Sequence, residues 1–220
     1  MTATQNTSVI AIDFDGTLAL PGQMVSTRVH AALSRIREIG VRVVIVTGRC
    51  FAEAERMSRA LSPDGLVAEN GALVLASGRR VSLAPPEWER VRGTLLAHFP
   101  AGCEEIIVSI SREELGRAEG LIDRSLASVE LNKDRAMILP RGVDKARGFS
   151  ACLELLKLRS PRLYCVGDGE NDLSLFRMCD VRVALENSVE SLKAIANYVS
   201  AKPNGEGVAE ALAALFPDWR

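Results

Sequence analysis

The 220-residue sequence predicts an α/β protein, a doubly wound, Rossmann-like parallel sheet that carries a small inserted α+β segment. Three observations predict it. Apolar, β-branched runs alternate with helical patterns near the N-terminus and again toward the C-terminus, which is the rhythm of strand-helix-strand units. These runs end abruptly in Asp, Thr, Asn or Gly, as strands do where they leave a buried sheet. Between the two halves the rhythm breaks, and shorter strand and helix patterns follow one another without it.

The first run, Val9-Ile10-Ala11-Ile12, leads into Asp13-Phe14-Asp15-Gly16. Alternate side chains of a strand share a face, and Gly16 supplies a sharp turn, so both carboxylates belong at the mouth of a buried strand. Ser26 caps a helix carrying Val29, Ala32, Leu33, Ile36 and Ile39 at helical spacing, and Gly40 ends it. Val41 to Val46 is nearly all apolar, as a strand covered on both faces tends to be. It stops at Thr47-Gly48-Arg49, and a helix follows over Phe51 to Leu61. A third strand, Gly65 to Ala68, runs into Glu69-Asn70-Gly71, where Asn-Gly signals a tight turn.

In the second half a helix is expected from Asp144 to Leu158. The strand Leu163 to Val166 then leads into Gly167-Asp168-Gly169-Glu170-Asn171-Asp172. A helix over Leu173 to Met178, a strand over Val181 to Ala184 and helices over Val189 to Ala196 and Val208 to Leu215 complete it. Residues 82–140 form the insertion: a helix after Pro85-Pro86, a strand over Ile106 to Ile110, a helix over Glu113 to Leu126, and strands at Val129 to Leu131 and Ala136 to Leu139. The expected division is therefore a core of residues 1–81 and 141–220 and an inserted domain of residues 82–140.

Composition narrows the function. Apolar residues make up 47% and charged residues 25%, ordinary for a globular protein, and the net charge of −1 gives no general pull toward nucleic acid or anionic membranes. Cys50, Cys103, Cys152, Cys165 and Cys179 are scattered and form no CxxC, which predicts reduced, buried thiols in a cytoplasmic protein. Residues Met1 to Ser8 contain no basic region followed by an apolar stretch, and no membrane-spanning run is present.

Ligands of open α/β sheets sit at the carboxyl ends of the strands. Four of those ends carry groups suited to metal and phosphate: Asp13 with Asp15, Thr47-Gly48-Arg49, Asn70-Gly71, and Asp168 with Asn171 and Asp172. Lys145 joins them from the helix after the insertion. Paired acids can hold a divalent cation while one attacks and the other handles a proton. The blander readings are turn-forming or capping acids, a capping Thr47, a solvated Lys145, and an Asn70-Gly71 that only makes a turn, which is preferred for that pair. His30 and His98 fall outside the constellation and are read as structural.

In these motifs, and in Pro203-Asn204-Gly205-Glu206-Gly207-Val208, the sequence resembles the haloacid dehalogenase-like (HAD) superfamily of aspartate-based phosphatases, in its Cof-type branch with a type IIB cap. The resemblance implies Asp13 as nucleophile and Asp15 as general acid and base. It implies Mg²⁺ held by the Asp13 carboxylate, the Asp15 backbone carbonyl, Asp168 and waters, with Asp172 completing or orienting that shell. Thr47, Gly48, Arg49 and Lys145 would meet the phosphate, and Asn171 would orient Lys145 or the metal shell. Gly169 stands where relatives often have serine, and Leu175 where methionine is common.

The short insertion is more like those of phosphoglycolate and sucrose-phosphate phosphatases, so the expected substrate is a small phosphorylated metabolite such as phosphoglycolate or a sugar phosphate. A phosphosugar mutase is the competing enzyme. It needs a grip on a second phosphate, yet between Arg79 and Arg141 ten basic residues face ten acidic ones. A receiver-type signalling domain is the non-enzymatic competitor, but its acceptor aspartate is missing after the third strand, which ends in Glu69-Asn70-Gly71. No oligomeric state follows from the sequence.

Overall fold

The computed structural model describes residues 7–20, 22–100 and 102–217, so most of the Met1 to Ser8 stretch read for a leader lies outside the described residues. The chain runs β1 (Ser8–Asp13), α1 (Thr27–Glu38), β2 (Arg42–Val46), α2 (Phe51–Ser58), β3 (Gly65–Ala68), β4 (Leu73–Ala76), β5 (Arg79–Ser82), α3 (Trp88–Leu96), β6 (Val108–Ser111), α4 (Leu115–Ala118), β7 (Ala127–Asn132) and β8 (Arg135–Pro140). It continues with α5 (Lys145–Leu155), β9 (Arg162–Gly167), α6 (Leu173–Met178), β10 (Val181–Ala184), α7 (Glu190–Lys193), β11 (Tyr198–Val199) and α8 (Asn204–Leu215).

The larger sheet has the order β11-β10-β9-β1-β2-β3-β4-β5, parallel through β3, with β4 and β5 added antiparallel at one edge. The strand order runs outward from β1 to β2 and β3 on one side and through β9 to β10 and β11 on the other, which makes the β1 edge the switch point where α/β sheets open a crevice. Alternation on β1 sends Ile10 and Ile12 to a core with Val29, Leu33 and Ile36 of α1 and Val208 and Leu212 of α8. Val9 and Ala11 face the opposite core, with Phe149 of α5 and Phe176 of α6. Both faces of β1 are thus covered, which is why its sequence is a continuous apolar run. Truncating a fully buried residue such as Ile36 to alanine is expected to cost about 2–5 kcal/mol.

The smaller sheet, β6-β8-β7, is antiparallel and packs Val108, Ile110 and Ile138 against Trp88, Val91 and Leu95 of α3. It meets the large sheet through Ala72, Ile107, Met137, Leu139 and Val143. Glu69 fixes this junction. Its buried carboxylate accepts backbone N–H groups from Glu105 at 2.8 Å, Ile106 at 2.8 Å and Ile107 at 3.1 Å.

Several elements differ from expectation. The hairpin β4–β5 was not expected; its turn lies at Ser77-Gly78, both at positive φ, and its outer strand carries the exposed Arg79 and Arg80 rather than an apolar pattern. The helix expected to Leu126 is a short α4 between two 3-10 turns and stops at Leu121. Reduced thiols throughout is also corrected, because Cys50 and Cys103 form a disulfide with their Cα atoms 5.7 Å apart, while Cys152, Cys165 and Cys179 are free and buried. The 53 residues between the bonded pair hide this from any spacing rule, and only the docking of the segment before β6 beside α2 brings them together. No described helix is long and apolar enough to cross a membrane.

Candidate active site

Asp13 sits at the end of β1, 5% exposed. The chain then folds back, with the Leu18 N–H donated to the Phe14 carbonyl at 2.9 Å and Gly16 at φ 82°. A Cβ on Gly16 would lie 2.4 Å from Asp168 Oδ2, so glycine is required both for its backbone and for the room it leaves. Thr17, which sequence reasoning did not assign to the site, is buried here and donates its hydroxyl to Asp168 Oδ1 at 2.9 Å.

The loop after β9 brings Asp168 and Asp172 beside Asp13. Asp172 Oδ2 accepts the backbone N–H groups of Asp168 and Gly169, each at 3.0 Å, so this carboxylate caps the turn as well as facing the site. Lys145 enters from the first residue of α5, whose N-cap Asp144 accepts the Arg147 N–H at 2.7 Å. It arrives because the helix start presses on Gly71, where φ is 106° and a Cβ would lie 1.9 Å from the Asp144 carbonyl oxygen. Lys145 is fully buried and donates to Asp13 Oδ1 at 2.5 Å and Asp172 Oδ1 at 2.6 Å.

Charge is scarce on the positive side. Burial pulls the Lys145 ammonium down, but Asp13 and Asp172 outweigh it and hold the group above its ordinary range, so it stays protonated. Burial pushes the Asp13 carboxyl well up; Lys145 opposes this, while Asp172 and Asp168 add like charge. Burial also raises Asp168, against the pull of Lys133 and Thr17. Ligand atoms of Asp13, Asp168 and Asp172 all lie within 4.8 Å of one another. Three buried carboxylates left short of cation, offering hard oxygen donors, are a donor set that fits Mg²⁺.

The remaining expected residues surround this centre. Thr47 is buried at the end of β2, its Oγ1 accepting the Arg49 N–H at 3.2 Å. Gly48 lies under Met137 of β8. Arg49 donates twice to Asp15, from Nε and Nη2, at 2.6 Å each, and this pairing raises the guanidinium further above its usual range. Asp15 therefore faces Arg49 rather than the three clustered carboxylates. Asn171 uses its amide on Asn70, donating at 2.9 Å, and Asn70 donates to Glu130 of β7 at 2.6 Å. Asn70 and Gly71 do form the expected tight turn, with Glu69, Asn70 and Gly71 all at positive φ. Asn70 also connects the site to the smaller sheet.

A cavity of about 320 Å³ opens between Asp13, Asp15 and Thr47 on one side and Asn132, Lys133 and Arg135 on the other. Lys133 reaches across to Asp168 Oδ2 at 2.9 Å, and Asn187 donates to the Gly16 carbonyl at 2.8 Å and Asp168 Oδ2 at 3.3 Å. Neither residue was expected in the site. Asn187 had one available signal, its position just past the strand β10; Lys133 had none, lying in a hairpin turn remote in sequence from every motif.

The buried carboxylates, buried lysine and hydroxyl gathered at the switch point of this doubly wound sheet are groups suited to a divalent cation and a phosphate. The profile of the haloacid dehalogenase-like hydrolases matches residues 10–86 and 104–212. Phosphoglycolate phosphatase 2 of Saccharolobus solfataricus is 31% identical, over 94% of this chain and 91% of its own. Among solved structures, Thermoplasma acidophilum 0175 superposes with a TM-score of 0.79 at 17% identity, covering 97% of this chain and 98% of that one. The haloacid dehalogenase subclass IIB sugar phosphatase BT4131 superposes at 0.77 and 20% identity, covering 95% and 99%. The chain belongs to the haloacid dehalogenase-like hydrolase family, and within it is a phosphatase.

Proposed function

We propose that this phosphatase hydrolyses a small phosphomonoester, with phosphoglycolate ahead of a sugar phosphate, through an aspartyl-phosphate on Asp13. The observation that carries the reading is the sharing of one buried ammonium, Lys145, by Asp13 and Asp172 with Asp168 alongside. Asp13 attacks phosphorus, the bond from phosphorus to the ester oxygen breaks, and Asp15 protonates the departing alkoxide. Asp15 then takes a proton from the water that attacks the aspartyl-phosphate, releasing inorganic phosphate and restoring Asp13.

Lys145 and the Thr47 hydroxyl face charge that builds on the phosphoryl oxygens, and Arg49, which occupies both Asp15 oxygens in this structure, releases that carboxyl when it carries its proton to the leaving oxygen. Asp13, Asp168 and Asp172, with the Asp15 backbone carbonyl, would hold Mg²⁺, which supplies charge neutralisation to the phosphoryl group and to the buried acids. The segment of residues 82–140 acts as a cap over the cavity. The 31% identical phosphoglycolate phosphatase supports the substrate choice.

The test is phosphate release from a panel of small phosphomonoesters, with Mg²⁺ and after chelation, in wild type, Asp13→Asn and Asp15→Asn. Release that requires Mg²⁺ and falls at least about a thousandfold in Asp13→Asn is expected. Full activity in Asp13→Asn, or none in wild type with any ester, rejects the reading.

A further inference from the structure

We infer that Lys133 is the specificity-determining residue of this site, exchanging the Asp168 carboxylate for a carboxylate on the substrate when a divalent cation enters the aspartate cluster. The inference rests on the phosphatase reading and specifies its substrate class: phosphomonoesters whose carboxylate lies near the ester oxygen.

Lys133 occupies the two-residue turn between β7 and β8, in left-handed backbone at φ 53°, where asparagine or glycine costs less than lysine. Its ammonium is 2.9 Å from Asp168 Oδ2, and its side chain is 49% exposed while that of Asp168 is 1% exposed. It is thus a half-solvated cation reaching from the smaller sheet onto a buried acid of the larger one. Asp168 is also one of the three clustered carboxylates suited to a divalent ion. A cation held there repels Lys133 and removes its reason to stay.

The acids left near the released ammonium are Asp134, which lines the same cavity, and Glu170, which accepts the Lys133 backbone N–H at 3.3 Å. Asp15 is engaged by Arg49 through two hydrogen bonds, and Glu53 by the same guanidinium at 3.4 Å. Neighbouring Arg135 donates to the carbonyl and hydroxyl of Ser109, both uncharged, so it adds positive charge to the same wall. Beside it Asn132 holds a buried side-chain oxygen with no hydrogen-bond partner, and a Cβ on Gly169 would lie 2.6 Å from that oxygen. A side chain at position 169 would therefore have to push the Asn132 amide aside. The cavity wall formed by this hairpin carries Lys133 and Arg135 on either side of Asp134, a net positive charge that suits a carboxylate on the ligand.

The experiment uses the full chain as wild type, Lys133→Met and Lys133→Arg. Calorimetric titration of metal-free protein with Mg²⁺, without substrate, should show Lys133→Met binding about fivefold tighter than wild type, because a competing cation is gone. Steady-state rates should show the ratio of kcat/KM for 2-phosphoglycolate to that for p-nitrophenyl phosphate falling about tenfold or more in Lys133→Met, and recovering largely in Lys133→Arg. Unchanged or weaker Mg²⁺ binding in Lys133→Met overturns the exchange. A ratio moved by less than about twofold overturns the specificity role. Failure of the underlying reading is distinct: wild type then releases phosphate from neither ester, and the Mg²⁺ titration still decides the exchange.

Discussion

Lys145 and Asp172 are 2.6 Å apart with no solvent access to either, and the same ammonium reaches Asp13 at 2.5 Å. The sign of their coupling is that of a cation holding two buried anions together. The lysine is kept charged by Asp13 and Asp172 against burial, so its contribution to stability is fully present below the ordinary lysine pKa, throughout the physiological range, and is lost only at higher pH. Lys145→Met removes the cation and leaves its carboxylates facing one another. Such a cut is expected to cost about 3–5 kcal/mol in urea unfolding without metal, with Mg²⁺ recovering part of the loss. Unfolding free energies indistinguishable from wild type would show that the carboxylates do not depend on this lysine.

Glu130 predicts a pH dependence of the same sign in a lower window, as a penalty that grows with pH rather than a stabilisation that is lost. Burial lifts its carboxyl to about 7, against the hydrogen bond from Asn70. A raised carboxylate binds protons in the native state at pH values where the unfolded chain has lost them, so the native state is penalised progressively as pH rises from about 4.5 to about 7, and fully above. Glu130→Gln removes the penalty and keeps an acceptor for Asn70. Relative to wild type it should gain on the order of 1–3 kcal/mol at pH 8 and little at pH 5, read from urea midpoints at the two values. A constant offset at both would rule out this titration.

Much of this was legible locally. β1, β2 and β9 are buried on both faces, so their apolar runs and polar ends announced strands and site together, and Ser26 does accept the Val29 N–H as a cap should. Asp13, Lys145, Asp168 and Asp172, picked from separate strand and helix ends, do converge. What stayed hidden depends on contacts between distant segments. Lys133 matters because of where its hairpin lands, Asn187 because β10 ends beside Gly16, and Glu69 because three N–H groups from the segment before β6 need an acceptor. Lys133 has no marker in its own neighbourhood, and Asn187 has only its place just past β10.

The Cys50–Cys103 bridge makes a countable prediction. Cys50 follows Arg49 directly and starts α2, so the bond ties the loop carrying Thr47 and Arg49 to the segment before β6. Thiol titration of the denatured, unreduced protein should find the three free cysteines, and five after reduction. Closing a loop of this length should add about 2–4 kcal/mol to stability, so reduction, or Cys103→Ser, should lower the urea midpoint accordingly. Five thiols before reduction would exclude the bridge.

Glu69 carries the last prediction because it joins the two sheets through hydrogen bonds alone. Its carboxylate oxygens take one backbone N–H from Glu105 and two from Ile106 and Ile107, in a place without solvent access. In Glu69→Gln the amide nitrogen can only donate, so one side of the cluster meets donor with donor. The loss should be about 2–4 kcal/mol, one or two buried N–H groups left unpaired. Because those groups lead into β6, hydrogen exchange should quicken at Glu105 to Ile107 and across the smaller sheet before it changes in β1 or β9. Uniform quickening across both sheets would mean that Glu69 stabilises the whole chain, and that the junction has no separate opening of its own.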